Sequence, residues 1–220
     1  MADLPPPDPL PLVRQHLPSL TSEQLAQLGR LTALVRARNE QVNLISRKDV
    51  EHIEEHHLLH CLAATRVLKL AAGARVADIG TGGGFPGLPL AIVYPHAKFT
   101  LVDSVAKKGR AVYEVAEALG LDNVHVITER AEKLRERFDY VFGRAVAALP
   151  DFVGWTAPLL QPGKKGEPAN GILYFKGTMW RDELASHTLR PASVWALHDF
   201  IDRPYFEEKF LLHFPAPVKL

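Results

Sequence analysis

The residues best able to bind a ligand lie in a glycine-rich segment, residues 76–87, which reads VADIGTGGGFPG. Asp78 stands just before Gly80, and Asp103 ends the next apolar run of the chain. Glycine lets the backbone approach a ligand without a Cβ in the way. A loop that joins a strand to a helix lies where open α/β sheets bind their ligands, outside the carboxyl ends of the strands. The segment therefore predicts a nucleotide-like cofactor.

Two cofactors compete for this loop. Residues 82–87 match the Gly-x-Gly-x-x-Gly pattern of NAD-binding proteins, with Asp103 placed for a ribose hydroxyl. Asp78, Gly80 and Gly82 instead form the Asp-x-Gly-x-Gly pattern of S-adenosylmethionine-dependent methyltransferases. A carboxylate suits the ammonium group of that cofactor and would repel a pyrophosphate. The pattern favours S-adenosylmethionine, while NAD and a purely structural glycine turn stay open.

Polar residues also follow the next two predicted strands. The carboxylate of Asp103 can accept the two hydroxyl hydrogen bonds that a ribose offers, or it can cap the helix that starts near Val105. Residues 130–132 (RAE) follow the third strand, where an adenine edge would lie. Glu132 could contact the cofactor there, or pair with a neighbouring lysine or arginine on the surface.

These residues need a scaffold, and from residue 75 onward the chain alternates strand patterns with helix patterns. Helices are predicted from about Pro86, over 105–119 and over 150–160. Strands are predicted at 75–79, 98–102, 123–127, 138–142 and 171–175. The alternation predicts an α/β fold of the Rossmann-like class I methyltransferase type, a mostly parallel sheet with helices on both faces. Tail segments 193–199 and 207–214 are expected to pair as an antiparallel C-terminal edge.

The region before the glycine loop is expected to be helical. Residues 1–20 are proline-rich and predict an irregular arm. Thr21 and Gln24 form a capping-box pattern, which predicts a helix that begins there. A second helix is predicted over 48–70. Further along, residues 161–170 (QPGKKGEPAN) predict a loop.

Length and composition indicate one soluble unit with two parts. The 220 residues are expected to divide into an N-terminal arm and helical cap (1–72) and a compact cofactor-binding domain (73–220). The chain is 47% hydrophobic, yet no apolar run approaches the roughly 20 residues that cross a bilayer. The single cysteine, Cys61, excludes an intrachain disulfide. We expect a cytoplasmic protein that does not enter a membrane.

The net charge of +1 does not by itself indicate a nucleic acid partner. Basic residues nevertheless cluster within 36–48 and again at Lys107, Lys108 and Arg110. Each cluster is either a solvated helix face or part of a local basic footprint for RNA.

Several segments occur together in an order that resembles one family. They are VNLI (42–45), HLL (57–59), DIGTGGGFPGLPL (78–90), LVDS (101–104), KK (107–108), RAE (130–132), GRA (143–145) and FKG (175–177). Over roughly residues 21–180 the chain resembles the bacterial small-subunit (16S) ribosomal RNA guanine-N7 methyltransferase G family, also called the glucose-inhibited division protein B family.

The resemblance implies S-adenosylmethionine as the cofactor, and ribosomal RNA or the small ribosomal subunit as the partner. We expect the protein to be a monomer. It implies cofactor contacts at Gly80, Phe85, Ala131, Glu132 and Arg144. The family often has aspartate where this chain has His60, and threonine where it has Ile45. Those departures concern the substrate side of the expected site.

The chemistry of guanine N7 suits a site without a general base, because N7 carries an in-plane lone pair and no hydrogen. Alignment and charge placement are then the main needs. Arg144 follows the fourth strand, where its planar fork could orient a guanine or a phosphate, or pair with Asp139 or Glu132. Lys176 follows the fifth strand and either meets a phosphate or is a surface lysine. Cys61 lies before the glycine loop, so we expect no cysteine nucleophile.

His52, His56 and His60 recur every four residues and would share one face of a helix. Two histidines one turn apart can bind zinc, but no further ligand is placed beside them, so we expect a polar face and no metal. Two other functions stay open: a small-molecule methyltransferase of the same fold, and a non-enzymatic RNA- or cofactor-binding module.

Overall fold

The computed structural model describes residues 5–219, and its centre is a seven-stranded sheet. In chain order the strands are β1 (Arg75–Ile79), β2 (Lys98–Asp103), β3 (Val124–Thr128), β4 (Tyr140–Arg144), β5 (Gly171–Lys176), β6 (Ser193–Ala196) and β7 (Phe210–Pro215). Their order in the sheet is β3-β2-β1-β4-β5-β7-β6. β1 to β5 run parallel, whereas β7 is antiparallel to both β5 and β6. The predicted parallel sheet and antiparallel edge are confirmed.

The order of the strands reverses beside β1, because the chain passes from β1 to β2 on one side and later to β4 on the other. In register, Ile79 of β1 pairs with Val102 of β2, and Arg144 of β4 pairs with Phe175 of β5. Ligands bind open α/β sheets at this kind of reversal, outside the carboxyl ends of the strands. The fold thus positions the end of β1 and the end of β4 at one crevice.

Helices cover both faces of the sheet. The α-helices are α1 (Pro11–His16), α2 (Ser22–Asn39), α3 (His60–Leu62), α4 (Gly87–Val93), α5 (Ala106–Ala118), α6 (Leu149–Thr156) and α7 (Trp180–Glu183). A π-helix spans Ile53–Leu59, and 3-10 helices span Ala63–Arg66, Ala131–Lys133, Ala157–Leu159, Leu197–Asp199 and Pro204–Phe206. One hydrophobic cluster joins α1, α2, α4 and α5 to the sheet, and a second lies beneath α6.

The N-terminal region departs from the prediction in two places. The expected irregular arm contains α1, whose first residue is Pro11 and whose Val13 is fully buried together with Leu10 and Leu17. Proline is tolerated in the first helical turn, where its missing N–H would have no partner. The backbone N–H of Val13 donates to Glu54 Oε1, which ties α1 to the π-helix. The capping box of Thr21 is confirmed.

The second predicted helix, 48–70, is wrong at both ends. Helical structure runs only from Ile53 to Arg66, and Lys69–Leu70 is a strand. That strand pairs with Gly166–Glu167, inside the segment expected to be a loop. A two-residue ladder is set by a contact far along the chain, so local patterns do not reveal it.

Within residues 5–219, the helices are all too short or too polar to cross a bilayer. The same residues contain no group of three or more histidine, cysteine, aspartate or glutamate side chains arranged to hold a metal ion.

Candidate active site

The glycine loop after β1 contains three positive φ angles, at Gly80, Gly82 and Gly84, that glycine adopts without strain. Gly80 has φ +72°, and a Cβ there would lie 2.7 Å from the side chain of Val146, which follows β4. Gly82 has φ +58°, and a Cβ there would meet nothing closer than 3.9 Å. Gly80 is therefore fixed by close packing, whereas Gly82 borders open space into which a ligand can approach.

Asp78 holds this loop from inside. Its Oδ2 accepts hydrogen bonds from the Thr81 hydroxyl at 2.7 Å and from the Gly87 N–H at 2.9 Å. Its Oδ1 is buried and has no hydrogen-bond partner among the residues described. Burial raises the pKa of the Asp78 carboxyl to about 6, against the lowering effect of those two hydrogen bonds. Asp78 is thus a buried carboxyl group of the loop, and only one of its two oxygens accepts hydrogen bonds from the described residues.

Asp103 joins the loop to the next helix. Its Oδ2 accepts from the Gly82 N–H at 3.0 Å, and its Oδ1 accepts from the Val105 N–H at 2.8 Å. The second bond is a local one to the residue before α5, and α5 has no side-chain cap, so the helix-capping role that competed with ribose binding is not seen. Each carboxylate oxygen can accept a second hydrogen bond, which leaves capacity for a ribose.

A cavity of about 260 Å³ opens at the carboxyl ends of β1, β2 and β3, and we call it the loop cavity. Its lining includes Gly80, Asp103, Ala131, Glu132, Val146 and Trp155. Ala131 is buried and Glu132 is exposed. The alternative role of Glu132 is not seen in the described chain, since Lys133 pairs with Glu129 instead, at 3.2 Å. The fold thus brings residues from four of the predicted segments to one cavity.

A second cavity, of about 320 Å³, opens at the carboxyl ends of β4 and β5, and we call it the histidine cavity. Its lining includes His56, His57, His60, Arg144, Phe175 and Tyr205. The end of β4 separates the two cavities, because Val146 lines the first while Arg144 and Ala145 line the second. Ala145 has φ +56°, a conformation that costs a non-glycine residue about 1–3 kcal/mol. The backbone is therefore strained in the wall that separates the two cavities.

Arg144 makes neither of the ion pairs considered from sequence. Its Nη1 donates to the backbone carbonyl of His56 at 3.0 Å, and its Nη2 donates to Nδ1 of His57 at 2.6 Å. The guanidinium carbon lies 5.8 Å from the ring centroid of Phe85, which is within range of a cation–π contact. Arg144 is thus held between the glycine loop and the π-helix.

Comparison with known proteins agrees with this arrangement. The family model described as rRNA small subunit methyltransferase G matches residues 24–202. The chain is 39% identical over 210 residues to "Ribosomal RNA small subunit methyltransferase G" of Christiangramia forsetii, covering 96% of this chain and 99% of that one. It is 41% identical to the protein of the same name from Flavobacterium psychrophilum, covering 94% and 99% of the two chains.

The chain belongs to the rRNA small subunit methyltransferase G family. A solved structure of a SAM-dependent methyltransferase from Aquifex aeolicus shares the fold, with a TM-score of 0.56 at 16% identity over 77% of this chain and 97% of that one. The predicted family, fold class and cofactor, S-adenosylmethionine, are confirmed, as is the prediction of a methyltransferase.

The three histidines expected on one polar face of the methyltransferase are arranged differently. His56 stacks on Tyr205 with ring centroids 4.0 Å apart, and on His52 at 4.8 Å. His60 is buried, and burial lowers its pKa well below the usual value. His57 is buried as well and lines the same cavity. The segment is a π-helix with i→i+5 bonds, so the spacing of four does not define an exposed face.

Lys176 does not present a free ammonium group to a phosphate, which corrects that prediction. Its Nζ donates to both carboxylate oxygens of Glu183 at 2.7 Å and to the carbonyl of Ala147 at 3.1 Å. Glu183 also accepts from the Leu149 N–H at 2.8 Å, and the Tyr174 hydroxyl donates to the same Ala147 carbonyl. In the methyltransferase this network anchors the segment that follows β4.

The basic residues of α5 lie in its first turns, near the carboxyl edge of the sheet. Lys107 and Arg110 are exposed, and Lys108 is half-buried. Arg110 is 3.4 Å from Glu114, which also pairs with Arg38 at 3.0 Å. No acidic partner is found for either lysine within 5–219, so their charges remain uncompensated there.

Three residues of the histidine cavity, Asp49, Tyr205 and Lys209, were not predicted from sequence. Tyr205 accompanies His56 and His60, and Lys209 lies 4.8 Å from the Tyr205 ring. Both come from the segment before β7, where the resemblance had ended. Local sequence carried no signal for them, because only the antiparallel return of β7 brings this segment beside β5.

A larger cavity, of about 1000 Å³, lies at the opposite edge of the sheet. It is lined by the first residues of β1 and β2, Arg75 and Lys98, and by the turn before β3. Asn123 in that turn already donates to three backbone carbonyls. This edge lacks the glycine loop and the strand ends, so volume alone does not make it the active site.

Proposed function

We propose that this protein transfers a methyl group from S-adenosylmethionine to N7 of a guanine in small-subunit ribosomal RNA. The observation that carries the proposal is the pair of cavities on the two sides of the end of β4, one beside the glycine loop and one beside Arg144. The curated relatives are named for ribosomal RNA of the small subunit. Since one chain lines both cavities, we further propose a monomer that acts on its RNA in the cytoplasm.

The loop cavity fits the adenosine part of the cofactor. We assign Asp103 to the ribose hydroxyls, because its two oxygens keep accepting capacity at the cavity wall. Ala131 and Glu132 line the end of the cavity beside β3, where an adenine would lie. Gly80 provides backbone without a side chain in the cavity wall, and we assign Gly82, whose N–H donates to Asp103, to the same cofactor. When bound, the cofactor supplies a methyl group on a positively charged sulfonium.

Asp78 and Phe85 belong to the glycine loop, and Phe85 lies below the Arg144 guanidinium. The unpartnered Oδ1 of Asp78 marks a buried acceptor that suits the ammonium group of the cofactor. Phe85 is only 3% exposed and lies beneath Arg144, so we assign it as an apolar support for that side chain. These residues would exclude water from the transfer path.

The histidine cavity fits a flat base with a phosphate nearby. His56, His60, Phe175 and Tyr205 supply aromatic rings, which stack on bases. We assign Arg144 to O6 of guanine, because a donor placed on N7 would block the lone pair that must attack. Lys209 has no acidic partner within the described chain, so its charge is available to a phosphate.

No proton has to be removed, and the side chains around the cavity agree with that requirement. Burial raises the pKa of the Cys61 thiol to about 12, which removes it as a nucleophile. Burial also lowers the pKa of His57 to about 3, which makes that ring a poor base. The site therefore works through alignment and charge placement, and rates should show no bell-shaped pH profile.

The RNA backbone is proposed to pass over the start of α5. Lys107 and Lys108 have no acidic partners there, whereas Arg110 shares Glu114 with Arg38. Phosphate contacts position an RNA without reading its sequence. The two lysines are thus placed to hold the substrate while the histidine cavity holds the base.

The proposal is tested by incubating the purified protein with S-adenosylmethionine and either small ribosomal subunits or naked small-subunit RNA, followed by mass spectrometry of the nucleosides. We expect 7-methylguanosine, and Asp103→Ala should weaken cofactor binding by about 1–3 kcal/mol in calorimetry. Methylation of another atom, or turnover only with small molecules, would refute the proposed substrate. Binding of RNA without any turnover would favour a non-enzymatic module.

A further inference from the structure

Arg144 and His57 form a short polar contact in the wall of the histidine cavity, and they come from distant parts of the chain. Arg144 ends β4, whereas His57 lies in the N-terminal π-helix. The distance from Nη2 to Nδ1 is 2.6 Å, and the neighbouring Nη1 donates to the His56 carbonyl at 3.0 Å. Two adjacent nitrogens of one planar group are thus fixed by two adjacent residues of one helix.

The chemistry of this contact defines the state of the histidine. A guanidinium carries donors only, so Nδ1 of His57 must offer its lone pair and the ring proton must sit on Nε2. Nε2 is buried and has no hydrogen-bond partner in the described chain, and Asp49 Oδ2 lies 3.9 Å away. Burial and the charge of Arg144 both lower the pKa of His57, which keeps the ring neutral at physiological pH.

A neutral partner leaves the positive charge of Arg144 intact, whereas a carboxylate would neutralise it. Among residues 5–219, no carboxylate lies within 4 Å of the Arg144 guanidinium. Asp49 accepts instead from Ser46 and His56. Arg144 therefore has a fixed direction while its full positive charge remains directed at the cavity wall that it lines.

We propose that His57 is a positioning residue, which aims Arg144 at the methyl-accepting base through a neutral hydrogen bond. The inference rests on the proposed function. It adds that the N-terminal π-helix supplies half of the alignment at the reaction centre, although His57 itself need not touch the cofactor or the base. Loss of the acceptor should slow methyl transfer at saturating RNA while cofactor affinity is unchanged.

The test uses the full-length protein with single-turnover methylation of RNA and calorimetry with S-adenosylmethionine. His57→Leu removes the acceptor and should lower the rate by about 10- to 100-fold, the usual cost of a misaligned group. His57→Asn places an amide oxygen near the position of Nδ1 and should stay within about 5-fold of the wild type. The exposed His125→Asn is the matched control and should leave the rate unchanged.

A double-mutant cycle separates positioning from packing. In an Arg144→Ala background, His57→Leu should slow the reaction no further, because the group that it aims is gone. A wild-type rate in His57→Leu, or an equal loss with and without Arg144, would overturn the inference. If His57→Leu does not fold, a rate for His57→Asn as low as that of Arg144→Ala would overturn it. Absence of 7-methylguanosine with the wild type would instead refute the proposed function.

Discussion

Asp78 gives the fold a pH dependence of unusual sign for an aspartate. Most aspartates gain partners on folding, which lowers their pKa and makes them stabilising at neutral pH. Burial instead raises the pKa of Asp78 from 3.8 to about 6. The folded protein therefore binds this proton more tightly than the unfolded chain. The stabilisation is complete below pH 3.8 and is lost as the pH rises through 6. Asp78→Asn, which keeps an acceptor for Thr81 and Gly87, should remove the effect.

The size of the effect follows from the two pKa values. One pKa unit corresponds to about 1.4 kcal/mol, so the charged carboxylate costs about 3 kcal/mol of unfolding free energy at pH 8. Roughly half of that cost develops between pH 5 and pH 8, because about half of the excess stability is already lost at pH 5. Between those two pH values the wild type should therefore lose about 1.4 kcal/mol more than Asp78→Asn.

Urea unfolding at pH 5 and pH 8, without cofactor, measures this difference for both proteins. The comparison cancels the contribution of every other titrating group. The exposed Asp122→Asn is the control and should follow the wild type. Equal pH dependence in the wild type and Asp78→Asn would show that the carboxyl titrates normally. The unpartnered Oδ1 would then have to be solvated in the folded protein.

Three further predictions test the loop and the basic residues. Gly80→Ala should lower the free energy of unfolding by about 1–3 kcal/mol in thermal unfolding, because its φ of +72° is strained for alanine. Gly154→Ala is the control: this glycine is in a helix with open space around it, so the change should be neutral or stabilising. Replacing Lys107 and Lys108 with alanine should reduce the slope of log affinity for RNA against log salt by at most about two. Lys176→Met should slow methylation and leave the salt dependence of RNA binding unchanged. A weaker salt dependence would show that Lys176 contacts a phosphate after all.

The sheet could be predicted because its strands are short apolar runs that end at a glycine or a polar residue. β1 is buried and stops at Gly80, while β2 stops at Asp103. Helices between them have their own apolar spacing, and Gly120 follows α5 directly after its last turn. Such signals are local, so each strand of the parallel sheet was found within two residues of its observed bounds. The cofactor loop followed from the same local pattern.

The N-terminal region was harder, because tertiary contacts decide its conformation. Val13 and Leu17 pack in the main hydrophobic cluster, and this burial stabilises a short helix after several prolines. A six-residue helix is marginal by itself. The π-helix likewise has the composition of an α-helix, and its wider turns bring both His57 and His60 inside. Sequence spacing alone assumes 3.6 residues a turn and places these side chains wrongly.

The partners of charged residues were the least predictable part of the site. Asp139 and Glu132 were the carboxylates considered as partners of Arg144, and Asp139 instead accepts from Gln161 and Asn170. Lys176 similarly found Glu183, one short helix later. The sequence offers several exposed carboxylates as possible partners for each cation, and only the tertiary structure determines which one forms the ion pair.

In the proposed site, the N-terminal π-helix would contribute to the reaction centre through its contacts with Arg144. An arginine at the end of β4 could be held by a carboxylate from the sheet, but such a pair would neutralise the charge that a guanine O6 or a phosphate must meet. The carbonyl of His56 and the neutral ring of His57 fix the same guanidinium without that cost. They can do so only from an element that faces the strand end, which is where the π-helix lies. The charge is thus supplied by Arg144 at the end of β4, and its orientation is supplied by the π-helix.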